Sequence, residues 1–241
     1  DKSDEMTAVE HGDSSASEQM NTAVTSVPIR ALCKKGNSAN ISKYFDQLYK
    51  AERKTAHYWV KVGSCYQLLG ENKKALLYYN KALSLNKKDE RALNNMGIIY
   101  LADKKYYPAL KLFSQASENK NSTAAKINLA NVYLRFGQIE EGCKLAESLR
   151  TANETFQTSV TTLLGFCSLK HKNYVGAITY FNQLPEKIRN LQEIALNHAL
   201  ALKLNGQEIE AKALYAKIQK QDHNADPYRA NVGSFIEKGK L

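Results

Sequence analysis

The side chains able to carry chemistry are few and dispersed along the chain. Five histidines, His11, His57, His171, His198 and His223, form no HExxH or other ligand motif, and neither GxSxG nor GxxxxGK[ST] occurs. Metal-assisted hydrolysis, acyl transfer and nucleotide-phosphate binding each need such a constellation. The spacing therefore predicts no catalytic residue, no metal, no cofactor and no small-molecule substrate. His198 falls on the apolar face of a helical segment and reads as a packed, hydrogen-bonded core histidine. The carboxylates Glu140 and Glu141 lie near a turn signal and read as solvated. Four cysteines, Cys33, Cys65, Cys143 and Cys167, make no CxxC pair. Each sits in a helical stretch and is expected to be a small buried hydrophobe with a free thiol, which favours a reducing compartment.

These residues must be positioned by short helices. The chain has 241 residues, 43% of them hydrophobic, with only 12 glycines and 4 prolines. That composition excludes collagen-like, all-β and wholly disordered classes. No apolar run reaches the ~18 residues a membrane-spanning helix needs. Residues 1–21 carry six carboxylates against Lys2, a balance of −5 in a chain of +10, so the remainder carries +15. This acidic, serine-rich stretch cannot bury enough apolar surface to order itself and reads as a flexible tail. The first residue is Asp1 and not methionine, as expected of a processed or trimmed product. Lys73, Lys74, Lys87, Lys88, Lys104, Lys105, Lys111 and Lys172 fall at turns or on outward helix faces. They read as a solvated basic face and not as a nucleic-acid groove.

From about Thr22 onward apolar residues recur every three or four positions, broken by Gly, Asn or Lys. The pattern repeats at a fixed period. Residues 56–89 hold Trp59, Val62, Gly63, Tyr66, Ala75, Tyr79 and Ala82, and residues 90–123 hold Leu93, Met96, Gly97, Tyr100, Ala109, Phe113 and Ala116 at the same places. Looser copies follow at 123–156, 158–191 and 192–225. Residues 22–55 read as a degenerate capping hairpin, and 226–241 as a closing helix and tail. The small residues Gly63, Gly97 and Gly165 are expected to let neighbouring helices approach closely, with aromatics such as Tyr79, Phe113 and Phe181 filling the space. The two strong copies resemble the tetratricopeptide (TPR) repeat, and the resemblance covers about residues 22–225. It implies an all-α, right-handed superhelical solenoid of about six TPR-like hairpins. It also implies a protein–protein interaction scaffold or adaptor with no enzymatic activity.

In the family that the sequence resembles, helix A of each hairpin lines a concave groove that takes a peptide segment or helix. Carried over to this chain, the groove positions are Val60, Lys61, Asn95, Ile98, Leu101, Ile127, Asn128, Asn131, Leu134, Arg135, Phe166, Leu169, Leu196, Asn197 and Leu200. Asn95, Asn128 and Asn197 form a row whose amides can donate to and accept from a peptide backbone. The places that hold a carboxylate clamp in related repeats are occupied here by Val60, Ser64, Asn95, Ala124 and Asn128. Only Asn95 matches, so no such clamp is expected. The all-repeat makeup and acidic tail also resemble bacterial TPR lipoproteins of pilus or motility-machine assembly. That implies a cell-envelope location, with the membrane met only through a lipid anchor upstream of Asp1. A cytoplasmic adaptor, a module for RNA or an acidic partner, and a groove occupied by the chain's own acidic tail remain open at this point.

Overall fold

The computed structural model describes residues 55–119, 122–219 and 227–239, together with Cys33, Ile41, Phe45, Asp46, Leu48, Tyr49 and Lys50. The acidic tail and most of the expected capping hairpin lie outside these residues. The chain divides into two compact units, residues 1–132 and 133–241.

The first unit is built from α1 (Ala56–Leu68), α2 (Asn72–Leu85), α3 (Glu90–Ala102), α4 (Tyr106–Ser117) and most of α5 (Thr123–Arg135). The starts of α1 and α3 are marked by side-chain caps. Thr55 Oγ1 accepts from Tyr58 N at 3.2 Å, and Asp89 Oδ1 accepts from Ala92 N at 3.0 Å. These caps satisfy amides that have no partner inside the helix. The A-to-B turns are equally regular. Lys104 adopts φ 59°, and Gly70 takes φ 77° at the matching place one period earlier. Glu71 N reaches back to Tyr66 O at 2.9 Å, as Lys105 N does to Tyr100 O at 2.8 Å. This is a Schellman stop, and it lets the chain reverse after a single left-handed residue.

The expected close approaches are present. A Cβ on Gly63 would lie 2.6 Å from the Tyr79 ring, one on Gly97 2.6 Å from Phe113, and one on Gly165 2.7 Å from Phe181. The three rings are themselves fully buried. Helix A thus meets helix B through a glycine-on-ring contact. Successive hairpins then share clusters such as Leu93, Ala116 and Ala125 with Leu83 and Leu112 packed against them.

The second unit contains α6 (Ile139–Ser148), α7 (Glu154–Lys170), α8 (Tyr174–Gln183), α9 (Glu186–Arg189), α10 (Gln192–Leu204), α11 (Glu208–Gln219) and α12 (Pro227–Lys238). Helix α7 starts a turn earlier than the repeat phase predicts. Residues 154–156, the last of the copy read as 123–156, lie in its first turn, where Phe156 is buried. Helix α12 packs on α10 and α11 through Val232 and Ile236.

The cysteine reading is corrected. Cys33 is bonded to Cys65 and Cys143 to Cys167, with Cα–Cα distances of 5.3 and 5.5 Å, and no cysteine is free. The residues are buried, as expected of them, but as disulfides. Sequence separations of 32 and 24 match no local motif, and only the packing of neighbouring helices brings the partners together.

Candidate functional site

In the first unit the groove positions of α1, α3 and α5 sort by depth. Val60, Ile98, Leu101 and Ile127 are buried and form an apolar floor. Over it stand the half-buried polar side chains of Lys61, Ser64, Asn95 and Asn131. Asn95 Nδ2 donates to Ser64 Oγ and to Tyr79 Oη, each at 3.2 Å. The Tyr79 hydroxyl donates in turn to Gln67 Oε1 at 2.6 Å. Asn95 is thereby held in one orientation by the ring that fills the Gly63 gap.

Asn128 is not part of the accessible row. Its side chain is 2% exposed, and its Nδ2 donates at 2.9 Å to Asn94 Oδ1, one period earlier in the chain. A buried amide must be paired, and here neighbouring hairpins pair with each other. Two asparagines in phase make a structural ladder where the sequence reading expected a peptide contact.

Two bases edge this surface. Arg91 Nη2 lies 2.6 Å from His57 Nδ1, and these residues hold the same place in successive hairpins. Burial, followed by the charges of Arg91 and Lys61, pulls the His57 pKa down to about 4. The imidazole is therefore neutral at physiological pH and accepts from the guanidinium. The arrangement can hold a carboxylate and hydrogen-bond an extended backbone.

In the second unit the expected groove residues are mostly packed away. Leu169 and Leu196 are buried. Asn197 is 8% exposed, its Nδ2 donating to Glu193 O at 2.7 Å while its Oδ1 accepts from the Tyr228 hydroxyl at 3.0 Å. It ties α12 to α10. Phe166 is half-buried, edge-on to Phe181 at 5.7 Å, and Leu200 packs on the terminal core. Leu134 is half-buried, and Arg135 is exposed and paired with Glu193 at 3.6 Å. His198 is buried as expected, but neither ring nitrogen has a hydrogen-bond partner among the described residues.

The second unit also holds a cavity of about 660 Å³ that the sequence reading missed, lined by Glu140, Lys144, Glu147, Cys167, Ser168 and His171 among others. It opens where Ser168 stands at the place of Tyr66 and Tyr100 in the first two hairpins, and that loss of an aromatic was the signal in the sequence. Glu140 lies 3.1 Å from His171, and Arg150 grips Glu147 through two bonds of 2.7 Å. Its charged groups thus largely satisfy one another. No group of three or more His, Cys, Asp or Glu suited to a metal occurs among the described residues.

No protein-family profile matches the sequence, and no curated protein does. Solved structures do match. The chain superposes on the APC/C hetero-tetramer Cut9–Hcn1 with a TM-score of 0.66 at 15% identity, over 92% of this chain and 44% of that one. It matches YrrB, described as a TPR protein with an unusual peptide-binding site, with a TM-score of 0.55 at 17% identity, over 73% of this chain and 91% of that one. The fold is that of the tetratricopeptide-repeat proteins. A further match is PilW, a type IV pilus biogenesis factor, with a TM-score of 0.59 at 17% identity over 80% of this chain and 91% of that one. The chain spans less than half the length of its Cut9–Hcn1 counterpart.

Proposed function

We propose that this TPR chain is an interaction scaffold that holds a segment of another protein against the helix A face of its first unit. The observation that carries the reading is the ordered polar row Lys61, Ser64 and Asn95 above a buried apolar floor. An extended segment suits it, with backbone groups on Asn95 and an acidic side chain near Lys61 and Arg91. The description of YrrB as a peptide-binding TPR protein agrees with this use of the fold. The two disulfides favour an oxidising compartment over a cytoplasmic adaptor, because such bonds form and persist in secreted and envelope proteins. That location fits an assembly role of the kind named for PilW. Affinity capture from native extract, with wild type and with Lys61→Ala plus Asn95→Ala, tests the reading. A captured protein should be lost by the variant while its unfolding midpoint stays near that of wild type. Unchanged capture would overturn the groove assignment.

A further inference from the structure

The outer face of the first unit presents a second surface, independent of the groove. Helix α2 buries Ala75, Tyr79 and Ala82, which turns Lys73, Leu77 and Lys81 to the opposite side. Helix α4 buries Ala109, Phe113 and Ala116 and turns out Tyr107 and Lys111 in the same way. Leu83 of α2 and Leu112 of α4 pack against one apolar cluster, so the two helices share a core on their inner sides. One period relates Lys73 to Tyr107 and Leu77 to Lys111, so lysine and apolar side chains alternate across the patch as well as along it. Leu77 is 65% exposed and Tyr107 78%, while Leu85 also projects into solvent. Singly exposed hydrophobic side chains are ordinary on a protein surface, so a use for this pair rests on a second observation.

Charge supplies one. Between residues 71 and 119 the exposed lysines are Lys73, Lys74, Lys81, Lys87, Lys88, Lys104, Lys105 and Lys111, against the exposed acids Glu71, Asp103 and Glu118. Glu71 and Asp103 are taken by Lys74 and Lys105. The other six lysines have no carboxylate partner among the described residues.

We infer that this face docks on an anionic lipid surface, with Leu77 and Tyr107 entering the headgroup–acyl boundary and the lysines meeting the lipid phosphates. Lysine stems can lie along the apolar region while their ammonium groups stay with the headgroups. A nucleic acid would use the same charge but has no use for a protruding leucine, since its affinity comes from phosphates and from stacking on aromatics. The Cys33–Cys65 disulfide of this unit also favours a compartment where membranes, and not RNA, supply the polyanion.

Co-sedimentation of the full chain with vesicles tests the inference. Phosphatidylcholine vesicles containing phosphatidylglycerol are compared with pure phosphatidylcholine, and a single-stranded oligonucleotide is run alongside. The chain should bind the anionic vesicles at low salt and not the neutral ones. Lys73→Gln, Lys81→Gln and Lys111→Gln together should weaken that binding on the order of 100-fold, at about fivefold per lysine. Leu77→Gln plus Tyr107→Gln should weaken it about tenfold without changing the charge. These side chains are exposed, so unchanged circular dichroism and unfolding midpoints are expected of both variants. No vesicle binding at low salt, binding indifferent to Leu77 and Tyr107, or tighter binding to the oligonucleotide would each overturn the proposal.

Discussion

His198 occupies the place held by Val62, Met96, Leu129 and Leu164 in the other hairpins, and its two ring nitrogens are buried with no hydrogen-bond partner among the described residues. Burial, with a smaller push from Arg189, brings its pKa down to about 4 from an ordinary value near 6.5. The folded chain therefore keeps the ring neutral while the unfolded chain takes up a proton as pH falls below 6.5. Stability from this group is complete above that value, is lost as pH falls towards 4, and changes no further below it. The full shift corresponds to at most about 3 kcal/mol. His57 is shifted in the same direction and contributes in the same window. Replacing His198 with Leu removes two unsatisfied polar atoms and should stabilise the protein by about 1 kcal/mol at neutral pH, and by more at mildly acidic pH. Urea unfolding midpoints across that range measure both effects. An unchanged slope with pH would show that His198 is not the titrating group.

Gly97 and Phe113 show the same logic between elements. A methyl group on Gly97 would overlap the Phe113 ring, so Gly97→Ala should cost about 1–3 kcal/mol through overpacking. Trimming the ring relieves the clash, so Phe113→Leu should cost less in the Gly97→Ala background than in wild type. A double-mutant cycle read by chemical denaturation checks this, and simple additivity of the two losses would rule the contact out as their link. This contact was legible in the sequence, because each glycine and its ring recur at one interval in three hairpins. The groove was legible only in part. Helical phase told which side chains point inward, but not how deeply the next helix buries them. Asn128 is out of reach because Asn94 meets it from the preceding hairpin, and Asn197 because Tyr228 arrives from α12, an element with no copy elsewhere in the chain. Asn95 stays half-exposed although its Nδ2 is held by Ser64 and Tyr79 and its Oδ1 accepts from Asn94 Nδ2 at 3.4 Å.

Repeat arrays are stabilised by nearest-neighbour contacts, so a covalent staple between adjacent helices acts on the term that matters most for the whole molecule. Each compact unit contains one staple, Cys33–Cys65 in the first and Cys143–Cys167 in the second. Cys65 and Cys167 sit at equivalent places, each just beyond the glycine where helices A and B approach most closely, so the same site on helix A is used twice. With a separation of 24 residues, the Cys143–Cys167 bond is worth about 3.5 kcal/mol in the chain-entropy description. A reductant should lower the unfolding midpoint, and Cys143→Ser plus Cys167→Ser should reproduce the share of the loss that belongs to the second unit. Alkylation under denaturing conditions separates this from a chain that carries thiols in the cell. Protein isolated from its native source should take up no label before reduction and four labels after it, one for each cysteine. Four labels without reduction would mean that the chain works with free thiols. That result would remove the physical reason for placing its scaffold, and the lipid surface it meets, in an oxidising compartment.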